Sequence, residues 1–256
     1  MKTLPLLLLS LLTLSATAAE SGVKRYLYLS TPDGAQTEGR SSEGILIFDI
    51  DNGHRFVRRI TIPIFKEGLR GFVGNATTHA VYYTTTSRRM GCFDLESEKI
   101  VWDRTYDAGC DRACITPDGT KIYVPTGWWY RGDDSGFLVV DAKDGTLLKR
   151  IRVNVQAHNS LFVFDATVMP PKEKTHVDLS MGGHGWVTFS LDGRYAWAHT
   201  PDVIDVRTKK VVATLKDENG QPFASSKFIE VHLRNGKVVR VGDQFGLGRV
   251  HVAGNL

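Results

Sequence analysis

Three sets of residues in this 256-residue chain have side chains able to do chemistry, and their spacing limits what each can do. The thiols are Cys92, Cys110 and Cys114. An odd number leaves at least one without an intrachain partner, and in GCDRACIT an extended backbone holds Cys110 and Cys114 too far apart to bridge without a turn. Buried, idle thiols are the simplest expectation. The histidines are scattered at His54, His79, His158, His176, His184, His199, His232 and His251. Zinc or copper draws three or more His, Cys or carboxylate ligands from short, recognisable spacings, and haem attachment needs C-x-x-C-H. Neither pattern occurs, so no metal and no cofactor is expected. Nucleophilic catalysis has no G-x-S-x-G elbow to stand on, and Ser160 beside His158 is a neighbour in sequence only. The third set is carboxylates that recur, Asp49, Asp94, Asp141 and Asp205, and regular recurrence points first to structure.

The elements that carry these residues are short strands. Apolar positions alternate with a period of two in YLYLS, ILIFDI, AVYYTT, KIYVPT, FLVVDA, DVIDV, KVVATL, FIEVHL and KVVRVG, and no window reads as an amphipathic helix. Turn signals separate them: Asp51-Asn52-Gly53, Pro117-Asp118-Gly119, Asp144-Gly145, Asp192-Gly193 and Asn235-Gly236. The chain is expected to be all-β and built of hairpins.

The phrase GFLVVDAKDGTLLKRIRV (136–153) has three partners: GILIFDIDNGHRFVRRITI, GCFDLESEKIVWDRTYD and DVIDVRTKKVVATLKD. Asp49, Asp94 and Asp141 mark a period of about 45 residues, the length of a four-stranded propeller blade. A preceding strand adds a threonine column at Thr31, Thr85, Thr126 and Thr200. One such sheet cannot cover both its faces, whereas copies packed around an axis cover each other's. ITPDGTKIYVPT followed by DVIDVRTKKVVATL resembles the YVTN-type β-propeller repeat of exported bacterial proteins, including YncE-like ones. That resemblance spans nearly the whole chain after its first residues and implies a fold rather than one activity. From Asp141 the next such aspartate, Asp165, comes after only about half a period, so the fourth blade is expected to be short. Seven blades would need about 290 residues at this period, so five to six are expected. YLYLS has no inner strand before it, and a C-terminal strand is expected to complete that first blade and close the ring.

Residues at the start of each inner strand are the ones able to face a central channel. These are Arg70, Asp111, Arg112, His158, His184 and Lys227, a cationic, histidine-bearing rim suited to a small anionic ligand. An aromatic loop, Trp128, Trp129 and Tyr130, is a second candidate surface for a ligand or protein partner. LESEKIVWDRTY, with Trp102, resembles the tryptophan-bearing repeat of quinoprotein dehydrogenases, which implies packing between blades. The leading reading is a binding or scaffold module of unknown ligand. A quinoprotein-like or lactonase-like enzyme, or a redox accessory protein, using a polar channel site is the alternative.

Residues 1–19, with Lys2, the run LPLLLLSLLTL and a small-residue end, read as a secretory signal peptide, so 20–256 is expected to be one exported domain, secreted or periplasmic. No later run is long enough for a membrane span. The formal charge of +4 is spread in isolated pairs such as Arg88-Arg89, with no footprint for nucleic acid.

Overall fold

The computed structural model describes residues 22–30, 44–62, 68–127, 135–153, 177, 179–181, 187–225 and 227–243. Their strands are β1 Val23–Ser30, β2 Ile45–Asp49, β3 Arg55–Ile60, β4 Leu69–Asn75, β5 Ala80–Thr85, β6 Arg89–Asp94, β7 Lys99–Thr105, β8 Cys114–Ile115, β9 Lys121–Pro125, β10 Gly136–Asp141, β11 Leu147–Arg152, β12 Thr188–Phe189, β13 Tyr195–Trp197, β14 Asp202–Asp205, β15 Lys210–Thr214, β16 Phe228–Arg234 and β17 Lys237–Gly242. The second, third and fourth sheets are antiparallel meanders, β4 to β7, β8 to β11 and β12 to β15; the first sheet runs β17-β16-β1-β2-β3. The all-β expectation and the four-stranded repeat both hold among the described residues. The short fourth blade expected near Asp165 lies outside them.

The first sheet has one strand more than its repeat predicts. Strand β16 pairs antiparallel with β1, Tyr28 opposite Ile229, and so supplies the inner strand that the N-terminal sequence lacks. The chain then reverses at Asn235-Gly236, both with positive φ (51° and 78°), and β17 pairs on the other edge of β16. Strand β17 fits against β4 because Gly74 there has no side chain: a Cβ would stand 2.3 Å from Val241.

Local chemistry explains why the sheets repeat so closely. Each recurrent aspartate ends the third strand of its repeat and accepts backbone N–H groups of the turn that follows. Asp49 takes those of Asp51 and Asn52 at 3.0 and 3.2 Å, Asp94 that of Ser97 at 2.6 Å, Asp141 that of Lys143 at 2.8 Å, and Asp205 that of Thr208 at 2.7 Å. Just ahead of each, the pairing to the outer strand shifts register, at Ile47/Phe48, Cys92/Phe93, Val139/Val140 and Val203/Ile204. A bulge there twists the outer strand and blunts a sheet edge that would otherwise invite another strand.

The sheets pack face to face in the order third, second, first, fourth. Tyr28, Ile47, Phe72, Tyr83, Phe93 and Ile229 fill the seam between first and second. Val73, Tyr82, Cys92, Trp102, Ile122 and Val140 fill that between second and third. Leu27, Leu29, Phe48, Trp197, Val203 and Phe228 fill that between first and fourth. Burying one such large side chain contributes about 1.5–3 kcal/mol, and that burial is the stabilisation a lone sheet could not reach. Inner strand β4 of the second sheet lies against β8 of the third and against β16 and β17 of the first. Polar ties cross the seams as well: Trp102 donates its indole N–H to the Ala142 carbonyl at 3.1 Å, and Tyr106 its hydroxyl to Gly145 at 2.6 Å.

Candidate functional site

Four of the six expected rim residues are described, and each stands at the start of an inner strand. Arg70 is the second residue of β4, Asp111 and Arg112 come just ahead of β8, and Lys227 immediately precedes β16. His158, His184, Trp128, Trp129 and Tyr130 lie outside the described residues. Asp111, Arg112 and Lys227 are 1%, 8% and 3% exposed, and Arg70 is half-buried. Removing a charge from water costs several kcal/mol per ion unless partners compensate, so the three buried charges each need compensating groups in the fold.

Asp111 is held from several sides. Its N–H donates to the Pro125 carbonyl at 3.0 Å, and its own carbonyl accepts from the Thr84 hydroxyl at 2.8 Å. The Arg112 guanidinium stands 3.8 Å from its carboxylate. Gly127, at φ 72°, packs closely against it, since a Cβ there would come 3.1 Å from the Asp111 Cβ. Arg70, Thr85, Thr86, Cys110, Asp111 and Thr126 line a cavity of about 10 Å³ beside it. That is room for a single water, against roughly 300 Å³ for a small-molecule pocket. The threonine column closes the adjoining turns: the Gly136 N–H donates to Thr126 Oγ1 at 3.0 Å, and the Thr200 hydroxyl donates to Asp202 at 2.7 Å.

Cys92, Cys110 and Cys114 are all buried, and none forms a disulfide. Burial pushes the thiols of Cys92 and Cys110 up to about 12, so at neutral pH both are protonated and poor nucleophiles. Among the described residues no three His, Cys, Asp or Glu side chains converge as metal ligands.

One polar cluster escaped the sequence reading. Glu230 of β16, fully buried, accepts from the Leu191 N–H at 2.6 Å and lies 2.5 Å from Nε2 of His232, itself 5% exposed. Nδ1 of His232 makes no hydrogen bond. The signal was present as Glu-Val-His in FIEVHL, since residues two apart share a face of a strand. Beside this pair, Arg25 of β1 reaches Asp51 through Nε at 2.8 Å and Asp192 through Nη1 at 2.5 Å, tying the first sheet to the fourth.

No family model matches the sequence, and no curated protein does. Solved structures similar to the chain include dihydro-heme d1 dehydrogenase NirN in complex with DHE, at 16% identity and TM-score 0.37, over 86% of this chain and 53% of that one. Another is the Cps50 (Swd1) β-propeller domain of Myceliophteria thermophila, at 12% identity and TM-score 0.29, over 72% and 50%. A third is a protein of unknown function from Bacteroides caccae, at 14% identity and TM-score 0.37, over 86% and 73%. The chain spans about half the length of the first two. Likenesses this weak carry no argument about its ligand or activity.

Proposed function

We propose that residues 20–256 form an exported β-propeller of five to six blades that works as a binding or scaffold module, its contact surface at the end of the blades where the first strands begin. The observation that carries this reading is the use made of the recurrent polar residues. Asp49, Asp94, Asp141 and Asp205 hold turns, Thr126 and Thr200 bond across the connections that precede two of them, and the thiols of Cys92 and Cys110 stay protonated. The cavity at Asp111 has room for a water alone. These groups serve shape rather than bond-making.

The pairing of β16 with β1 supports a ring closed by its C-terminal strand. Arg70, Arg112 and Lys227 begin three inner strands at one end, and their field favours a small anion there; the loop of Trp128, Trp129 and Tyr130 is a second surface, for a protein partner. A signal peptide at 1–19 would deliver the module to the periplasm or beyond the cell.

Thermal unfolding of the mature chain with sulfate, phosphate and citrate tests the anion site. A ligand that binds only the folded state raises the melting temperature with concentration. A rise with at least one of these anions, weakened in Arg70→Ala, is expected. No rise with any of them would contradict the anion reading.

A further inference from the structure

The seam between the first and fourth sheets is fastened by a histidine. His54 follows the turn after Asp49, adopts φ 59°, and is 4% exposed. Its Nε2 lies 3.1 Å from the indole nitrogen of Trp197, and its ring meets Tyr195 edge-on with centroids 4.7 Å apart. An indole N–H can only donate, so Nε2 must carry a lone pair; His54 is therefore neutral, with its proton on Nδ1. Trp197 is fully buried and stacks on Phe228 of β16, so this one bond joins the turn of the first sheet to the centre of the fourth.

We propose that this seam is an acid-released latch: protonation of His54 removes the acceptor that holds Trp197 and lets the fourth sheet part from the first. A proton on Nε2 would set donor against donor. The surrounding charges come from every side of the seam. Arg25 on β1 and Arg194 ahead of β13 oppose a positive ring, while Asp51 on the first sheet and Asp192 on the fourth favour it. Both favourable carboxylates are already engaged by Arg25. On β16, Glu230 is held by His232 and the Leu191 N–H. Burial first, and Arg25 second, push His54 down to about 4. The folded seam thus resists a proton that the opened chain takes up near pH 6.5.

The test is urea unfolding of the full mature chain followed by tryptophan emission, at pH 7 and pH 5, in buffer without added anions so that the outcome is independent of the ligand reading. The unfolding constant of the wild type is expected to rise about 20-fold over that interval from His54 alone. His54→Gln keeps an oxygen that accepts from Trp197 and does not titrate, so most of that rise should vanish in it. Equal rises in the two proteins would overturn the proposal. Should His54→Gln fail to fold, the ring-proton NMR titration of His54 in the wild type decides: a midpoint near 4 supports the latch, and one near 6.5 overturns it.

Discussion

The ring of Trp102, on the outer strand of the second sheet, lies directly on Gly145 in the last turn of the third, so that a Cβ on Gly145 would stand 2.7 Å from the ring. Gly145 also holds φ at 77°, which side chains rarely adopt. Both facts make one prediction. Gly145→Ala should lose about 2–4 kcal/mol in urea unfolding, through backbone strain and a forced separation of the two sheets. Trp102→Phe keeps most of the contact but leaves the Ala142 carbonyl without its donor, and should cost about 1–2 kcal/mol.

The recurrent aspartates act on the backbone and should tolerate a change of charge better than a loss of the oxygen. Asp49→Ala is expected to lower stability by about 1 kcal/mol, whereas Asp49→Asn, which still accepts from Asp51 and Asn52, should retain most of it. Chemical denaturation of the two variants side by side checks this.

The buried thiols set an alkaline limit. The folded values of Cys92 and Cys110, about 12, lie above those of exposed thiols, near 8.5. Unfolded chain therefore releases these protons first, and stability that is complete below about pH 8.5 is lost as pH rises toward the folded values. At pH 8 a thiol reagent such as DTNB should label no cysteine in the folded chain and three after denaturation.

Arg112 serves as an interior group in this fold. Arg112→Ala would leave Asp111 buried with less compensation and should destabilise by about 3 kcal/mol, seen as a clear fall in the melting temperature. An unchanged melting temperature would show that Arg112 faces solvent.

Local features of the fold were readable from the chain, and most distant pairings were not. The aspartate and threonine columns and the hairpins could be read because a turn is written in four or five consecutive residues. The one distant pairing that could be read, the C-terminal strand beside YLYLS, followed from the inner strand that the first repeat lacks. The burial of Asp111, Arg112 and Lys227 could not, since charged residues read as surface until their packing is seen. Arg25 with Asp192, Trp197 with His54 and Glu230 with Leu191 join residues far apart in sequence, and nothing in the local pattern announces them. Strand β17 was read as a strand, but its place inside the first sheet depends on Gly74 and Val241 meeting across a seam.

Hydrogen exchange read by mass spectrometry tests most directly whether stacked sheets are joined by the C-terminal strand. The peptide covering β16 should be as strongly protected as that covering β1, and both should lose protection together as denaturant is added, because Tyr28 and Ile229 share one ladder. Exchange of the β16 peptide within seconds, while β1 and β2 stay protected, would contradict the account.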